Sequence, residues 1–287
     1  MKKTPPIIVA ALFILSICSC EDVIDVALPT EAPRLIIDAV VRVDTTQNQT
    51  LVSVKVRETS SFFENLPPAN LQQITMSNLD NPGSGTDTGV LIETGPGSGI
   101  YERSFATQQL VDDRWFLQVD FEDKFYVAFA EFTPTVPIDT IQQGDGTIFG
   151  EDDTELVITY TDPENRDDYY LFDFDFGNFL VSDDEFYQGQ SFSFSYFYDD
   201  KLNPGDQATI SILGVDGPFF NYADKIIQQS EGSFGPFQTP AVTVRGNFIN
   251  ATDIDNQGNF NNVNDPDNFA LGYFAIVQEF KQTITIE

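Results

Sequence analysis

The chain has 287 residues, of which 45 are acidic, 14 are basic and none is histidine, and its formal net charge at pH 7 is −31. The lack of histidine excludes a Ser-His-Asp triad, a Cys-His pair and an ordinary zinc site. The strong negative charge excludes generic affinity for nucleic acid and attachment to an anionic membrane surface by charge.

The N-terminal segment has the layout of a bacterial lipoprotein signal. Two lysines precede an apolar run over residues 7–17, which is too short to span a bilayer as a helix. Cys20 follows the small residue Ser19, so we expect residues 1–19 to be removed and Cys20 to carry the lipid. Acylation anchors a chain without a transmembrane helix. An ordinary secretory signal and an uncleaved membrane anchor are the alternatives.

The predicted location follows from this anchor. Cys18 and Cys20 are the only cysteines of the chain, so the mature body is predicted to contain neither a disulfide nor a thiol. Glu21 and Asp22 directly after the anchor resemble the export signal that sends lipoproteins of the Bacteroidetes to the cell surface. We therefore predict an outer-membrane protein held in the lipid bilayer through Cys20. Its body is predicted to face the cell exterior, with a periplasm-facing body as the alternative.

The first half of the mature chain is predicted to be all β. Residues 20–34 form an acidic tether, and residues 35–133 are predicted to be a β-sandwich of immunoglobulin or transthyretin type. The clearest strand is 50–57, where valines alternate with polar residues. The other predicted strands are 35–43, 71–78, 90–93, 100–105, 114–121 and 125–132, with a tight hairpin between the last two.

The second half is predicted to be a separate β-rich domain. Residues 134–153 contain two prolines that favour a stiff linker, and residues 154–287 follow as the second domain. One short helix is predicted at 218–230, where apolar residues recur at intervals of three and four. The predicted strands are 155–161, 169–176, 191–196, 207–213, 241–249, 269–277 and 280–286.

Several short strings of residues match one family. They are RLIID at 34–38, GIY at 99–101, VPID at 136–139, YTDP at 160–163, DYY at 168–170, RGN at 245–247 and ALGYF at 270–274. Together with the lipoprotein signal, these strings resemble the Bacteroidetes outer-membrane lipoproteins grouped as domain of unknown function 4249. The resemblance spans essentially the whole mature chain.

The resemblance implies an outer-membrane lipoprotein with an N-terminal β-sandwich and a second β-domain. Such proteins are commonly encoded near TonB-dependent outer-membrane receptors. It supplies no catalytic residues. We therefore predict a non-enzymatic accessory to a TonB-dependent receptor in nutrient capture or uptake. A structural or adhesive surface module stabilised by calcium is the alternative, and a hydrolase with paired carboxylates is a third hypothesis. Gly272 within the ALGYF string is interpreted as a bulge or a close-packing glycine.

One acidic loop is a candidate calcium site. Asp253 and Asp255 match the first and third positions of a calcium loop, and a glycine occupies the sixth. Gln257 stands at the fifth position and Asn264, which lacks the bidentate carboxylate, at the twelfth; Asp265 follows directly. A surface loop rich in asparagine and aspartate, without a metal, is the alternative. Calcium is the one cofactor that the sequence suggests.

Three aromatic residues are candidates for a contact surface. Phe62 and Phe63 lie in a predicted loop beside two prolines, where two adjacent apolar side chains are rarely buried together. Trp115, the single tryptophan, is the third candidate for stacking on a ligand. The alternative is a small cluster that holds the loop down. The acidic runs at 151–153 and 183–185 are interpreted as solvated charges.

Overall fold

The structure is a computed structural model, and it describes residues 32–60, 64–81, 88–147, 153–198, 202–230, 243–252, 254 and 269–287. Residues Pro33–Glu287 form one compact unit. This unit is mainly β, as predicted, and its helical content is confined to two helices among the described residues.

The strands and helices follow one another in a simple order. The first half contains β1 Leu35–Val43, β2 Gln49–Glu58, β3 Gln73–Asn78, β4 Thr88–Val90, β5 Ile92–Glu93, β6 Ile100–Ala106, α1 Thr107–Asp112, β7 Trp115–Phe121, β8 Lys124–Ala130 and β9 Phe132–Thr133. The second half contains β10 Ile138–Gln143, β11 Thr154–Thr161, β12 Tyr169–Asp173, β13 Phe179–Asp183, β14 Ser191–Tyr198, β15 Gln207–Val215, α2 Gly217–Ser230, β16 Ile249–Asn250 and β17 Leu271–Thr285.

The described strands form three sheets. The largest has nine strands in the order β13-β12-β15-β17-β1-β2-β6-β5, with β9 also beside β17. A five-stranded sheet has the order β16-β8-β7-β3-β4, and a three-stranded sheet has the order β10-β11-β14. The pairings of β17 with β1 and with β9 are parallel. The first strand of the described chain, β1, therefore lies beside the last, β17, although the two are far apart in sequence.

The first sandwich packs part of the nine-stranded sheet against the five-stranded sheet. The predicted alternation in β2 is confirmed, because Val52, Val54 and Val56 all point into this core and are fully buried. Trp115 and Leu117 of β7 face them from the opposite sheet. Burial of each large apolar side chain contributes about 1.5–3 kcal/mol, so this shared layer stabilises the pairing of the two sheets.

The second sandwich has an aromatic core between the three-stranded sheet and strands β12, β15 and the end of β17. Alternate residues of β12 and the residue after it, Tyr170, Phe172 and Phe174, are fully buried there. The rings of Phe174 and Tyr196 stack with centroids 3.8 Å apart and an interplanar angle of 6°. The aromatic alternation in the sequence therefore predicted the inward face of this sandwich correctly.

Strand β17 joins the two sandwiches. Its first half, 271–278, pairs with β1, and its second half, 279–285, pairs with β15. The sequence predicted two separate strands here, at 269–277 and 280–286. The structure instead has one continuous strand, so the nine-stranded sheet runs through both sandwiches.

The predicted division into two consecutive domains is corrected in two places. Residues 138–143 of the predicted linker form β10, which pairs with β11 in the second sandwich. Strand β16 and the first half of β17 belong to the first sandwich, although both lie in the predicted second domain, 154–287. Pairing between distant segments leaves no local pattern in the sequence, so the prediction could not detect it.

The predicted helix is confirmed, and it begins one residue earlier, at Gly217. The Asp216 carboxylate caps it by accepting a 2.7 Å hydrogen bond from the Phe219 backbone N–H. The short helix α1 was not predicted, because six residues are too few to show a helical period. Within the described residues, neither helix has the length and apolar character needed to cross a membrane.

The predicted strand 169–176 ends early, at Asp173. Asp175 and Phe176 have backbone φ angles of 67° and 52°, which an extended strand cannot contain. The chain therefore turns at this point, and the Phe176 side chain is exposed, with its ring centroid 6.2 Å from that of Tyr198 at the edge of the aromatic core. The predicted strand 241–249 is also shorter, since only its last residue lies in β16 and residues 241 and 242 are outside the described residues.

Candidate functional site

Helix α2 lies on the outer face of the nine-stranded sheet, on the side opposite the two sandwich cores. Its buried residues Phe219 and Ala223 pack against Leu213 of β15 and Ala275 of β17. These sheet residues alternate with the inward-pointing residues of the same strands, so they form a separate apolar layer. The helix thus packs over β12 and β13 at one edge of the sheet, and the rings of Phe219 and Tyr222 reach Tyr273 of β17.

A cleft of about 460 Å³ opens beside this helix. It lies between the helix, the segment 243–247 and Tyr273 of β17. The residues that line it are Pro218, Asn221, Tyr222, Lys225, Thr243, Val244, Arg245, Gly246, Asn247 and Tyr273. Two of these residues are basic and none is acidic, whereas the whole chain has 45 acidic and 14 basic residues.

Aromatic rings form one wall of the cleft. The centroid of the Tyr273 ring lies 5.0 Å from that of Tyr222 and 4.7 Å from that of Phe219. Burial, together with a smaller contribution from the nearby Asp38 carboxylate, raises the pKa of Tyr222 to about 12. Burial also raises the pKa of Tyr273, with a smaller contribution from Asp216. Both phenols are therefore protonated at neutral pH and can act as hydrogen-bond donors.

The two basic residues approach the cleft from different segments. Lys225 is exposed on α2 and makes no ion pair with any described residue. The Arg245 guanidinium lies 4.0 Å from the centroid of the Phe269 ring, and the Arg34 guanidinium lies 4.5 Å from the same centroid. The ring of Phe269 thus positions two guanidinium groups by cation–π contact.

The backbone below the cleft is held by a close crossing of two segments. A Cβ at Gly246 would collide with the Gly272 carbonyl oxygen, and a Cβ at Gly272 would collide with the Ile37 carbonyl oxygen. Gly272 also has a φ of +97°, which favours glycine, so its interpretation as a close-packing glycine is confirmed. The Asn247 side chain accepts a 2.9 Å hydrogen bond from the Phe274 N–H and donates a 2.8 Å hydrogen bond to the Phe274 carbonyl. The RGN and ALGYF strings therefore form one joint.

A second cleft, of about 400 Å³, lies on the same face of the sheet. Its charged lining residues are Asp38, Arg42 and Lys55, so both signs of charge are present. Arg42 is already paired with Asp173 at 2.8 Å and with Glu279 at 3.2 Å. The second cleft therefore lacks the uniform charge of the first.

A cluster of aspartates lies at one end of the second sandwich. Asp162, Asp168 and Asp184 are 3%, 5% and 7% exposed. The Tyr170 hydroxyl donates to Asp162 and, at 3.1 Å, to Asp168. Arg166 donates two hydrogen bonds of 2.5 and 2.8 Å to the Asp168 carboxylate. Burial raises the pKa of Asp184, although its carboxylate accepts a 2.8 Å hydrogen bond from the Asp168 N–H.

This cluster closes the loops around it. The Asp162 carboxylate accepts a 2.8 Å hydrogen bond from the Gly189 N–H, which connects the loop after β11 to the loop before β14. Buried carboxylates satisfied in this way stabilise a fold only while every partner is present. Within the described part of the chain, no group of acidic residues has the arrangement needed to hold a metal ion. Asp184 was interpreted as part of a solvated charge run, and its burial corrects that interpretation.

Most of the site residues predicted from the sequence lie outside the described residues. These are the lipidation residue Cys20, the aromatic pair Phe62 and Phe63, and the calcium candidates Asp253, Asp255, Gln257, Asn264 and Asp265. They remain predictions.

The prediction for Trp115 was wrong. This residue is fully buried in the first sandwich, its indole N–H donates a 3.0 Å hydrogen bond to the Gln109 carbonyl, and its ring meets that of Phe105 edge-on at 5.2 Å. It therefore cannot contribute to a contact surface. Trp115 has the same parity in its strand as Leu117 and Val119, and this alternation was the signal that should have placed it in the core.

The cleft beside α2 was not predicted as a site. The helical period of α2 predicted Tyr222 on the core face of the helix, Gly272 was interpreted only as a bulge or a close-packing glycine, and Lys225 was given no role. The available signal was the sparseness of basic residues: Lys225 and Arg245 are two of only 14 in the chain. Their proximity depends on the crossing of Gly246 and Gly272, which no local pattern reveals.

Comparisons with known proteins give a family and a distant structural likeness. The family model described as Domain of unknown function (DUF4249) matches residues 21–283. No curated protein matches the sequence at a significant level. A two fibronectin type-III domain segment from chicken tenascin is 15% identical and covers 65% of this chain and 93% of its own, with a TM-score of 0.19. This likeness is too low to support an argument, and the assignment as a pair of β-sandwiches rests on the strand topology described above.

Proposed function

The chain belongs to the family of unknown function DUF4249, and from this premise we propose that it is a non-enzymatic, lipid-anchored outer-membrane protein that captures a nutrient for a TonB-dependent receptor. Its anchor is the acylated Cys20, which inserts into the lipid bilayer. The body faces the cell exterior. The cleft beside α2 is its ligand-binding site.

The observation that carries this proposal is the composition of that cleft. Its volume of about 460 Å³ falls within the range of roughly 300–1,000 Å³ that is usual for small-molecule sites. Its walls combine aromatic rings with amide, hydroxyl and basic groups, which is the mixture that binds and orients a small ligand. The floor is rigid, because Asn247 and Gly272 fix the crossing segments. A preformed site of this kind loses little entropy when it binds.

The start of the folded body lies close to the cleft wall. Arg34, which precedes β1, and Arg245, in the cleft wall, both contact the ring of Phe269. Strand β1 lies between β17 and β2 within the nine-stranded sheet. A pull on the chain at Arg34 would therefore act on a central strand and not on an edge strand, which supports anchoring of the body through its N-terminal end.

Co-purification tests this proposal. The tagged, detergent-solubilised full chain is isolated from membranes of its own cells, and its partners are identified by mass spectrometry. We expect a large β-barrel receptor of the TonB-dependent type in near-stoichiometric amount. A Cys20→Ser variant serves as the control, since it should be lost from the membrane fraction while the body still folds. Recovery of the wild-type protein alone would overturn the proposed role as a receptor accessory.

A further inference from the structure

We propose that the cleft beside α2 binds a small organic anion that also carries a flat apolar group, an inference that rests on the capture function proposed above. The anionic group contacts Lys225 and Arg245, and the flat group packs on Tyr222 and Tyr273. Nothing in the family assignment specifies a ligand, so the inference depends on the chemistry of these residues.

The charge of the cleft lining favours an anionic ligand. Among the described residues that line the cleft, two are basic and none is acidic, in a chain whose formal net charge at pH 7 is −31. A cationic cleft on a strongly anionic body attracts an anion locally while the rest of the surface repels it. Such a contrast restricts binding to the cleft, and it favours anions over cations and neutral molecules there.

Lys225 lies where it can contact the anionic group of a ligand. It lies three residues after Tyr222 on α2, so the two side chains share one helix face. Lys225 is exposed, and the described residues offer its ammonium group no carboxylate partner. An ammonium beside an aromatic ring can meet an anionic group while the ring contacts the apolar part of the same molecule.

Arg245 supplies the geometry that an anion requires. Its guanidinium is held at 4.0 Å from the centroid of the Phe269 ring. A guanidinium group is planar, and the spacing of its N–H groups matches the oxygens of a carboxylate or a phosphate ester. Arg245 therefore favours planar or tetrahedral oxyanions over halide-like ions.

The tyrosines complete the site from the other wall. Their hydroxyls are protonated at neutral pH and can donate to an anion, and their rings provide a flat apolar surface. The nearby carboxylates of Asp38 and Asp216 act in the opposite sense, since they would favour a cation. Neither of them lines the cleft, whereas Lys225 and Arg245 do. The test must therefore be able to detect tighter binding of a cation than of an anion.

The second cleft provides an internal control. It has a similar volume and lies on the same face, but its lining includes Asp38 as well as Lys55, and its Arg42 is engaged by two carboxylates. A change of Lys55 alters the net charge of the protein as much as a change of Lys225 does. The two variants thus separate an effect on the cleft from an effect on overall charge.

The experiment titrates four benzene derivatives into the detergent-solubilised full chain: benzoate, phenyl phosphate, benzyl alcohol and benzylamine. Binding is measured by saturation-transfer NMR and calorimetry. We expect both anions to bind about tenfold more tightly than benzylamine, because two partly exposed ion pairs together contribute on the order of 1.4 kcal/mol. Comparison of benzoate with phenyl phosphate shows whether a carboxylate or a phosphate ester is the better source of the charge.

Variants identify the residues responsible. Lys225→Glu should weaken binding of both anions by at least about tenfold, whereas Lys55→Glu should leave it unchanged. Arg245→Gln should weaken binding to a similar extent, and circular dichroism confirms that each variant is folded. Since Lys225 is exposed on the helix, its substitution tests the inference even if Arg245→Gln does not fold.

Several results would overturn the inference: tighter binding of benzylamine, equal binding of benzyl alcohol and benzoate, or no binding of either anion. None of these results would overturn the proposed function as a receptor accessory, because receptor co-purification does not depend on which molecule the cleft accepts. Conversely, anion binding without a co-purifying receptor would support the cleft chemistry and remove the proposed partner.

Discussion

The aspartate cluster and the cleft beside α2 differ in what their charged groups contact. In the cluster, Asp162 and Asp168 are buried and hydrogen-bonded to Tyr170, Arg166 and backbone N–H groups. In the cleft, Lys225 is exposed and lines open space. The abundance of charge in this chain therefore says little about its function. The informative feature is an accessible basic residue, because basic residues are far fewer than acidic ones in this chain.

This difference predicts opposite responses to substitution. Changes in the cluster should alter stability and leave binding of benzoate, the test ligand, unaffected. Changes at the exposed cleft residues should alter binding and leave stability unaffected. Gly272, which lies below the cleft, should affect both.

The largest effect is expected for Asp168→Ala. The substitution leaves the Arg166 guanidinium without its two hydrogen bonds and removes one acceptor of the Tyr170 hydroxyl. We expect a loss of about 3 kcal/mol in the free energy of unfolding, since the buried Tyr170 hydroxyl and the partly exposed Arg166 side chain both lose hydrogen bonds to the buried Asp168 carboxylate. Urea denaturation measures it. The neighbouring exposed residue provides a matched control: Asp167→Asn should change stability by less than about 0.5 kcal/mol. A similar loss in both variants would contradict the distinct role of the cluster.

Gly272→Ala should cost slightly less, about 2–3 kcal/mol, and should also weaken benzoate binding. The new methyl group would collide with the Ile37 carbonyl oxygen, and the φ of +97° is unfavourable for alanine. Gly205→Ala is the control, because Gly205 has a φ of +96° but no atom within 4 Å of an added Cβ. It should lose only the conformational part, roughly 1 kcal/mol. Equal losses in the two variants would show that the crossing is not tightly packed.

Asp184→Asn should have a small, pH-dependent effect. Because the folded-state pKa of Asp184 is raised above its unfolded value, the wild-type protein is relatively more stable below the unfolded pKa and loses that stability as pH rises through the raised pKa. Asparagine does not titrate, and its side-chain oxygen can still accept the hydrogen bond from the Asp168 N–H. We therefore expect the variant to be more stable than the wild type at neutral pH, by less than about 1 kcal/mol.

Thermal melts across the acidic range measure this effect. The advantage of Asp184→Asn should shrink as the pH falls through the raised pKa of Asp184. An advantage that grows toward acidic pH would mean that the pKa of Asp184 is lowered in the folded protein, contrary to the account.

The smallest effect is expected for Tyr222→Phe. The change removes one donor from the cleft wall and keeps the ring that packs near Tyr273. Benzoate binding should weaken by about threefold, at the low end of what one hydrogen bond contributes, with the thermal midpoint unchanged. Loss of stability without loss of binding would mean that Tyr222, like the aspartate cluster, stabilises the fold and does not contact the ligand.

The sequence predicted those parts of the fold that have a local period. The alternating valines of β2, the aromatic face of β12 and the helix at Gly217–Ser230 all follow from residue spacing alone. Strand β17 could not be predicted, because its continuity depends on β1 and β15, which lie far away in sequence and hold its two halves in one sheet. The domain boundaries failed for the same reason.

The candidate site was less predictable than the fold. Its walls come from α2, from the segment 243–247 and from β17, and only the crossing at Gly246 and Gly272 brings them together. Trp115 was assigned to a surface because of its rarity, although its strand parity indicates burial. Asp184 was assigned to solvent because acidic residues are usually exposed, whereas here the Asp168 backbone satisfies its carboxylate.

The most direct test of the account is the affinity of benzoate for the wild-type protein and for Lys225→Glu, measured by calorimetry at low and at high salt. The account predicts that the wild type binds about tenfold more tightly at low salt and that salt reduces this difference, because partly exposed charges are screened. Equal affinities of the two proteins at low salt would contradict the claim that the minority charge in this cleft selects an anion.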